Sequence, residues 1–222
     1  VSELRVAAKD ALTATMALDS LDDVEFEANL IEMAQQEGVA KMEACFEMAM
    51  AKPNELEKRA QLANCHSEAK AAANDVRLGP ADIDDKKFVK MINDAAQEKA
   101  AKAMAAAYRA KPDMTPREKL DAVKIEMKKT LATSNEIDDV TVQEFLHQGT
   151  VRLVRDLAKN LGSAAADDAR QTIQNAMKES LGRSDVTLVD AERFLETAAI
   201  DEVDNVKTAC IESGKSKSEC ET

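Results

Sequence analysis

The chain has 222 residues, of which 45% are hydrophobic, 32% are charged and 3% are aromatic, and its formal net charge is −12. This acidity repels phosphate backbones and anionic membrane surfaces, so we expect no nucleic-acid partner. The six glycines and four prolines are too few for the many tight turns of an all-β protein, and no apolar run approaches the roughly 18 residues of a transmembrane segment.

Apolar residues recur at helical spacing along most of the chain, and most of them are good helix formers such as alanine, leucine and methionine. A break at Gly79-Pro80 separates a helical segment at 55–78 from one at 82–110. Further helical segments follow at 116–132, 140–161, 165–181 and 188–210. We therefore predict an all-α fold of about eight helices, formed by four tandem helix–turn–helix hairpins in a solenoid-like or bundle array.

The last of these segments shows the packing that we expect. Its apolar residues follow the spacing i, i+3, i+4, i+7, which buries one face of a helix and leaves the other in water. The residues that should face the core are Leu188, Ala191, Leu195, Val203, Val206 and Cys210.

Short acidic turns precede the longer helical segments, at Asp22-Asp23, Asp82, Asp138-Asp139 and Ser184-Asp185. Aspartate and serine side chains accept hydrogen bonds from the unpaired N–H groups at a helix N-terminus, so we interpret these turns as N-caps. Calcium loops are the alternative, but segment 19–30 has no glycine at the sixth position of an EF-hand loop, and 133–144 departs from the loop pattern as well. Weak calcium binding by an acidic surface remains an open alternative.

The acidic turns are followed by the same order of residues: a β-branched residue, a polar stretch and then a phenylalanine. In the first copy Asn29 stands at the phenylalanine position and Leu30 follows it. Recurrence at roughly 50 residues is typical of repeat proteins, whose hairpins must stack to bury their apolar faces. The predicted core anchors are Phe88, Phe145, Phe194 and Leu30. The predicted units span 1–52, 53–111, 112–162 and 163–213, and 214–222 begins a further unit.

The four cysteines follow these units. Cys45 and Cys210 lie near the ends of long helical segments, whereas Cys65 and Cys220 lie where the next helix begins. Four cysteines permit three pairings, and the pairs Cys45–Cys65 and Cys210–Cys220 close the shortest loops. Each bridge would add about 3 kcal/mol of stability and would indicate an extracellular, cell-surface or organelle-lumen location. The alternative is four reduced cysteines in the core of a cytosolic protein.

A lysine shortly before an Ala-Cys pair occurs twice, as Lys41 with Cys45 and as Lys207 with Cys210, and Cys220 follows the second. Together with the alanine-rich helices, these junctions resemble the large Cys-bearing helical tandem-repeat proteins of marine protists. The resemblance spans the whole chain. It implies a helical-repeat architecture and an extracellular or lumenal location, and it implies no particular activity.

Catalytic and metal-binding motifs are poorly represented. The two histidines, His66 and His147, lie far apart, and Glu144 with His147 forms only half of a di-iron motif. The chain has neither the closely spaced ligands of a zinc site nor a Gly-rich phosphate loop, and it lacks the Gly-x-Ser-x-Gly motif of a serine hydrolase. We therefore expect no enzymatic activity, no cofactor and no dedicated metal site.

The leading hypothesis is a structural or interaction module, a segment of an extracellular or lumenal helical-repeat scaffold that binds protein partners or copies of itself. A carrier of a small apolar ligand or pigment is the first alternative, because alanine-rich bundles can hold apolar molecules between helices. A weakly calcium-binding acidic module is the second.

Overall fold

The computed structural model describes residues 2–15, 22–77, 83–110, 114–161, 166–212 and 220, and within these ranges the chain is all-α. The eight helices of these ranges are α1 (Ser2–Thr15), α2 (Asp23–Met50), α3 (Glu55–Arg77), α4 (Asp85–Ala110), α5 (Pro116–Thr130), α6 (Asp139–Leu161), α7 (Ala166–Leu181) and α8 (Leu188–Glu212). The fold class predicted from the sequence is therefore confirmed. The predicted break at Gly79-Pro80 and the predicted cap at Asp82 lie outside the described residues.

The helices fall into two alternating sets, which we call the A helices (α1, α3, α5 and α7) and the B helices (α2, α4, α6 and α8). Packing is most extensive between α2 and α3, and α4 likewise packs on α5 and α6 on α7. Each of these B helices thus packs on the A helix that follows it. Helix α4 is central, since it also contacts α2, α6 and α7, and α8 contacts both α6 and α2.

Three successive apolar clusters form the core, and each is built from a B helix, the A helix that follows it and the next B helix. The first joins α2, α3 and α4, the second joins α4, α5 and α6, and the third joins α6, α7 and α8. A smaller cluster packs Ala8 and Leu12 of α1 against Phe26 and Leu30 of α2. Because each B helix from α2 to α8 takes part in at least one cluster, burial of apolar surface holds neighbouring helix pairs together.

The B helices begin in one common register. The backbone N–H groups of Phe26, Phe88, Val142 and Ala191 donate to the carbonyl oxygens of Asp22, Asp84, Asp138 and Thr187, respectively. All four donors have buried side chains. The residue at this place in the first helical turn therefore points into the core in every B helix.

This register corrects the alignment of the predicted core anchors. Phe88 and Leu30 are buried as predicted, but Phe145 and Phe194 are only half-buried and lie one turn later than Phe88, at the position of Met91. The helix start, not the phenylalanine, defines the common register. Where the residue of the first turn is small, as Val142 and Ala191 are, Phe145 and Phe194 pack against the same cluster one turn further on.

The residue before the cap of each of the helices α4, α6 and α8 is apolar and buried. Ile83, Ile137 and Val186 pack in the same clusters as the first-turn residues Phe88, Val142 and Ala191. This arrangement is a hydrophobic staple, which sets the angle at which the chain enters a helix. The staple explains why an apolar residue stands inside each of these otherwise polar turns.

Helices α4 and α6 approach each other very closely at Gly149. A Cβ atom added at this glycine would lie 1.9 Å from the backbone carbonyl oxygen of Gln97. The absence of a side chain therefore permits this crossing, which lies on α6 between the residues of the second cluster and those of the third. An ion pair between Arg152 and Asp94 (2.6 Å) links the same two helices.

Candidate functional site

The structure contains the first predicted disulfide, between Cys45 of α2 and Cys65 of α3. The two Sγ atoms are 2.07 Å apart and the two Cα atoms 5.5 Å apart. The exposed fractions of these residues are 1% and 0%, and both belong to the first apolar cluster. The bond therefore joins the two most extensively packed helices from inside their interface.

The second predicted disulfide, between Cys210 at the end of α8 and Cys220, is also present. Its Sγ atoms are 2.05 Å apart and its Cα atoms 5.8 Å apart. Unlike the first pair, both cysteines are partly exposed. Each bond thus joins a cysteine near the end of a B helix to a cysteine in the segment that follows that helix. Solvent reaches the two pairs differently, because only Cys210 and Cys220 are partly exposed.

This difference predicts an order of reduction. A reducing thiolate must reach a sulfur atom to attack it, so Cys210–Cys220 should open under native conditions while Cys45–Cys65 stays closed. Brief treatment with a mild reductant, followed by alkylation and peptide mapping, should label Cys210 and Cys220 first. Labelling of Cys45 and Cys65 should begin only when denaturant is added. Simultaneous labelling of all four cysteines in native buffer would contradict the burial of the first pair.

Cys45 and Cys210 occupy the same position in their helices. The number of residues from Asp22, which caps α2, to Cys45 equals the number from Thr187 to Cys210. The B helices α2 and α8 can therefore be compared residue by residue, and the comparison pairs Ala34 with Ala199, Gly38 with Val203, and Phe46 with Ile211.

The matching surfaces of α2 and α8 differ in what covers them. In α2, Ala34 and Gly38 are buried, and Gly38 lies against Ala73 of α3 and Phe88 of α4. In α8, Val203 is 53% exposed and Ile200, beside it, is 64% exposed. We call the exposed surface of α8 the α8 apolar face, and it consists of Ala199, Ile200, Val203, Val206 and Ile211.

The periodic pattern of α8 predicted burial for several residues that the structure exposes. Ala191 is buried as predicted, but Leu188, Val203 and Val206 are exposed although we expected them to face the core. The physical reason is that α8 packs on α6 and α7 through Ala191 and Ala198, whereas the residues of the α8 apolar face lie outside that cluster. Isolated exposed apolar residues are common on protein surfaces, but a contiguous group on one helix face is typical of a binding surface.

A polar cleft lies at the junction of α3 and α4, lined by His66, Ser67, Lys70, Ala71, Asn74 and Asp85. Lys70 and Asp85 form an ion pair of 2.6 Å, and the hydrogen bond from Lys70 holds the pKa of Asp85 below its usual value. The Ser67 hydroxyl donates to the backbone carbonyl of Asn64 (2.9 Å), and the His66 ring packs edge-on against Phe88. Lys70, Asp85 and Ser67 are therefore paired with their neighbours rather than converging as a nucleophile and its base, while the buried Nε2 atom of His66 has no hydrogen-bond partner in the described structure.

The acidic turns use their carboxylates to cap helices. Asp22 accepts from the backbone N–H of Glu25 (2.8 Å), Asp84 from Lys87 (2.7 Å) and Asp138 from Thr141 (2.8 Å). The cap of α8 was predicted at Ser184-Asp185, but Thr187 caps this helix and Asp185 pairs with Arg183 instead. No group of three or more candidate metal ligands occurs in the described part of the chain.

Capping by Asp138 predicts a pH dependence of stability. The backbone N–H and the hydroxyl of Thr141 donate to this carboxylate and lower its pKa below the usual value. A carboxyl with a lowered folded-state pKa stabilises the fold above its unfolded pKa of about 4, and this contribution is lost as the pH falls through the folded-state pKa. Asp138→Asn keeps a capping oxygen but does not titrate. The wild type should therefore lose more stability than this variant in urea unfolding between about pH 5 and pH 2, and parallel pH curves would contradict the assignment.

None of the helices in the described ranges is both long and apolar enough to cross a membrane. No protein family, no curated protein and no solved structure matches this chain.

Proposed function

We propose that this chain is a non-enzymatic structural and interaction module, a segment of a helical-repeat scaffold that works in an extracellular or lumenal space. It binds protein partners or copies of itself through the α8 apolar face. The observation that carries this proposal is the contrast between α2 and α8, because Ala34 and Gly38 are buried in α2 whereas their counterparts Ala199 and Val203 are exposed in α8.

The proposal that the chain is part of a helical-repeat scaffold is supported by contacts that recur along the chain. A lysine of an A helix pairs with the first residue of the following B helix three times, as Lys9–Asp23, Lys70–Asp85 and Lys124–Asp139, each at 2.6 Å. Such exposed pairs add little stability. Their recurrence at one place favours a common structural unit, and stacked units present long surfaces for binding other proteins.

The two disulfides favour an oxidising environment. All four cysteines are paired, and structural disulfides persist in secreted proteins and organelle lumens but are rare in the cytosol. The proposed extracellular or lumenal location rests on this chemistry.

A helix is the partner element that the α8 apolar face fits best. In α2 the counterpart of Val203 is Gly38, which lies against Ala73 of the helix α3 and Phe88 of the helix α4. Small side chains allow two helices to approach closely. We therefore expect a helix with small apolar residues on its contacting side.

A photo-reactive residue can test this binding surface in the cells that make the protein. The residue is placed at Ile200, within the α8 apolar face, or at the control position Val140, an equally apolar residue of α6 that is 78% exposed. Irradiation should produce discrete protein adducts from position 200 and few or none from position 140. Equal adduct yields at the two positions would show that the α8 apolar face is not a binding surface and would overturn the proposal.

A further inference from the structure

Building on the proposed function, we infer that the α8 apolar face binds the same face of a second copy of this chain, with the two α8 helices packed antiparallel about a two-fold axis. Such a contact needs only one kind of surface, because both copies bring the same residues to it. Its apolar part consists of Ala199, Ile200, Val203 and Val206, which are all exposed.

One stripe of side chains along α8 forms the centre of this contact. Glu196, Ile200, Val203 and Lys207 follow one another at intervals of four, three and four residues, so they lie on one side of the helix. Steps of three and four residues are also the spacing with which two helices pack side by side. Glu196 is exposed and Lys207 is partly exposed, so the two charged residues of the stripe are accessible like the apolar ones.

The stripe is complementary to itself when the helices run antiparallel. With the two-fold axis midway between Ile200 and Val203, Ile200 of each copy stands opposite Val203 of the other. Glu196 lies four residues before Ile200, and Lys207 lies four residues after Val203. Each Glu196 carboxylate therefore stands opposite the Lys207 ammonium group of the other copy, and the contact has an apolar centre with one ion pair at each end.

The other exposed acidic residues of α8 do not oppose this register. Apart from Glu196, the exposed carboxylates among the described side chains of α8 are those of Glu192 and Asp204. In the antiparallel register Asp204 stands opposite Ala199, and Glu192 stands opposite Ile211. No exposed carboxylate of this group therefore stands opposite another carboxylate.

A parallel pair would lack this complementarity. Each residue would stand opposite its own counterpart, so the two Glu196 carboxylates would meet at one end and the two Lys207 ammonium groups at the other. Like charges opposed across an interface suppress that mode of association, whereas opposite charges fix the register. No ion pair between described residues involves Glu196 or Lys207, so both side chains can pair across the contact.

The extent of the contact predicts its strength. From Glu196 to Lys207 the stripe is about 17 Å long, at about 1.5 Å per helical residue. One helix pair of this length buries less than the roughly 1,600 Å² of a standard interface, and the net charge of −12 on each copy opposes association until salt screens it. We therefore expect a weak dimer and no larger assembly, because a two-fold contact uses the same surface on both copies.

Analytical ultracentrifugation of the intact, oxidised protein in about 0.15 M salt tests this inference. The weight-average mass of the wild type should rise above the 24.1 kDa of one chain as the concentration increases from about 10 µM to about 1 mM, without exceeding the mass of two chains. Ile200→Lys should abolish the rise, because it places a charge in the apolar centre. Val140→Lys, a matched change at an exposed apolar residue of α6, should behave as the wild type.

Charge reversal tests the register of the two helices. Glu196→Lys opposes two positive charges at each end of the contact and Lys207→Glu opposes two negative ones, so each single variant should dimerise about tenfold more weakly than the wild type, or worse. The double variant restores both ion pairs with exchanged signs at an unchanged net charge, and it should dimerise as the wild type does. A mixture of the two single variants should form mixed dimers for the same reason. Circular dichroism with thermal unfolding verifies that each variant is folded.

Three results would overturn the inference. A wild type that remains monomeric up to about 1 mM would exclude self-association, and a dimer that survives Ile200→Lys would have its contact elsewhere. Single charge variants that dimerise as well as the wild type would exclude the antiparallel register. If position 200 nevertheless cross-linked to a different protein in cells, the proposed interaction function would stand without self-association, so the two proposals can fail separately.

Discussion

Gly149→Ala is expected to destabilise the protein by about 3 kcal/mol or more, because overpacking at this position cannot be relieved by side-chain movement. The added Cβ would lie 1.9 Å from the carbonyl oxygen of Gln97 and 2.6 Å from its carbonyl carbon. Both are backbone atoms of α4, so α4 and α6 would have to move apart. That movement would loosen the extensive contact between these helices and the clusters on either side of it.

Urea unfolding of Gly149→Ala with the disulfides intact measures this effect, and Gly38→Ala is its matched control. At Gly38 of α2 the nearest atom to an added Cβ is Cε2 of the Phe88 side chain, at 3.0 Å. Alanine is intrinsically favoured over glycine in a helix by about 1 kcal/mol, which should offset a small shift of the Phe88 ring. We therefore expect Gly38→Ala to lie within about 1 kcal/mol of the wild type, and equal stabilities of the two variants would contradict the close approach of α4 and α6.

Removing the buried disulfide with the double substitution Cys45→Ala and Cys65→Ala should lower the free energy of unfolding by about 4 kcal/mol. Opening a bond with a sequence separation of 20 releases about 3 kcal/mol of chain entropy to the unfolded state. Loss of the two sulfur atoms from the first cluster should cost about 1 kcal/mol more, since their packing contacts are not replaced. Replacing both cysteines avoids a free thiol, which a single substitution would leave.

The double substitution Cys210→Ala and Cys220→Ala is the matched control for the buried pair. Its separation of 10 residues closes a shorter loop and therefore contributes less chain entropy, and Cys210 and Cys220 are partly exposed and belong to none of the four apolar clusters described above. We expect a clearly smaller loss, measured by urea unfolding of both variants under the same conditions. A control that lost as much stability as the first variant would show that burial of Cys45 and Cys65 adds nothing to the chain-entropy effect.

The protein is stabilised by successive junctions between helices. The buried disulfide strengthens the junction of α2 with α3, and the Gly149 contact permits the junction of α4 with α6. Helix α8 has a packed side within the third cluster and an exposed apolar side beyond it. The proposed binding surface therefore includes two positions, Ala199 and Val203, whose counterparts in α2 are buried.

Features that depend on residues close together in the sequence could be predicted from the sequence alone. The helical periodicity of the apolar residues predicted the all-α fold, because secondary structure follows from local spacing. The capping roles of Asp22 and Asp138 follow from short side chains near unpaired N–H groups. Both disulfide pairs were also predictable, because each joins the end of a helix to the segment that follows it.

The alignment of the phenylalanines could not be derived in the same way. Phe88, Phe145 and Phe194 follow similar turns, but the distance from the helix start differs between Phe88 and the other two. The sequence does not state which residue begins a helix, and one turn of displacement changes which side chain is fully buried. The backbone hydrogen bonds of the first turns were needed to align the B helices.

Periodicity identified one apolar side on each helix, but it could not identify the neighbour that covers that side. Val203 and Val206 belong to such a pattern and are exposed, because coverage of α8 depends on which helices lie next to it in space. The approach of Gly149 to Gln97 likewise joins residues that are distant in the sequence. The sequence by itself determined the helices, their caps and the local disulfides, whereas the tertiary structure decided which faces are buried and which remain available for binding, since burial is a property of neighbours in space.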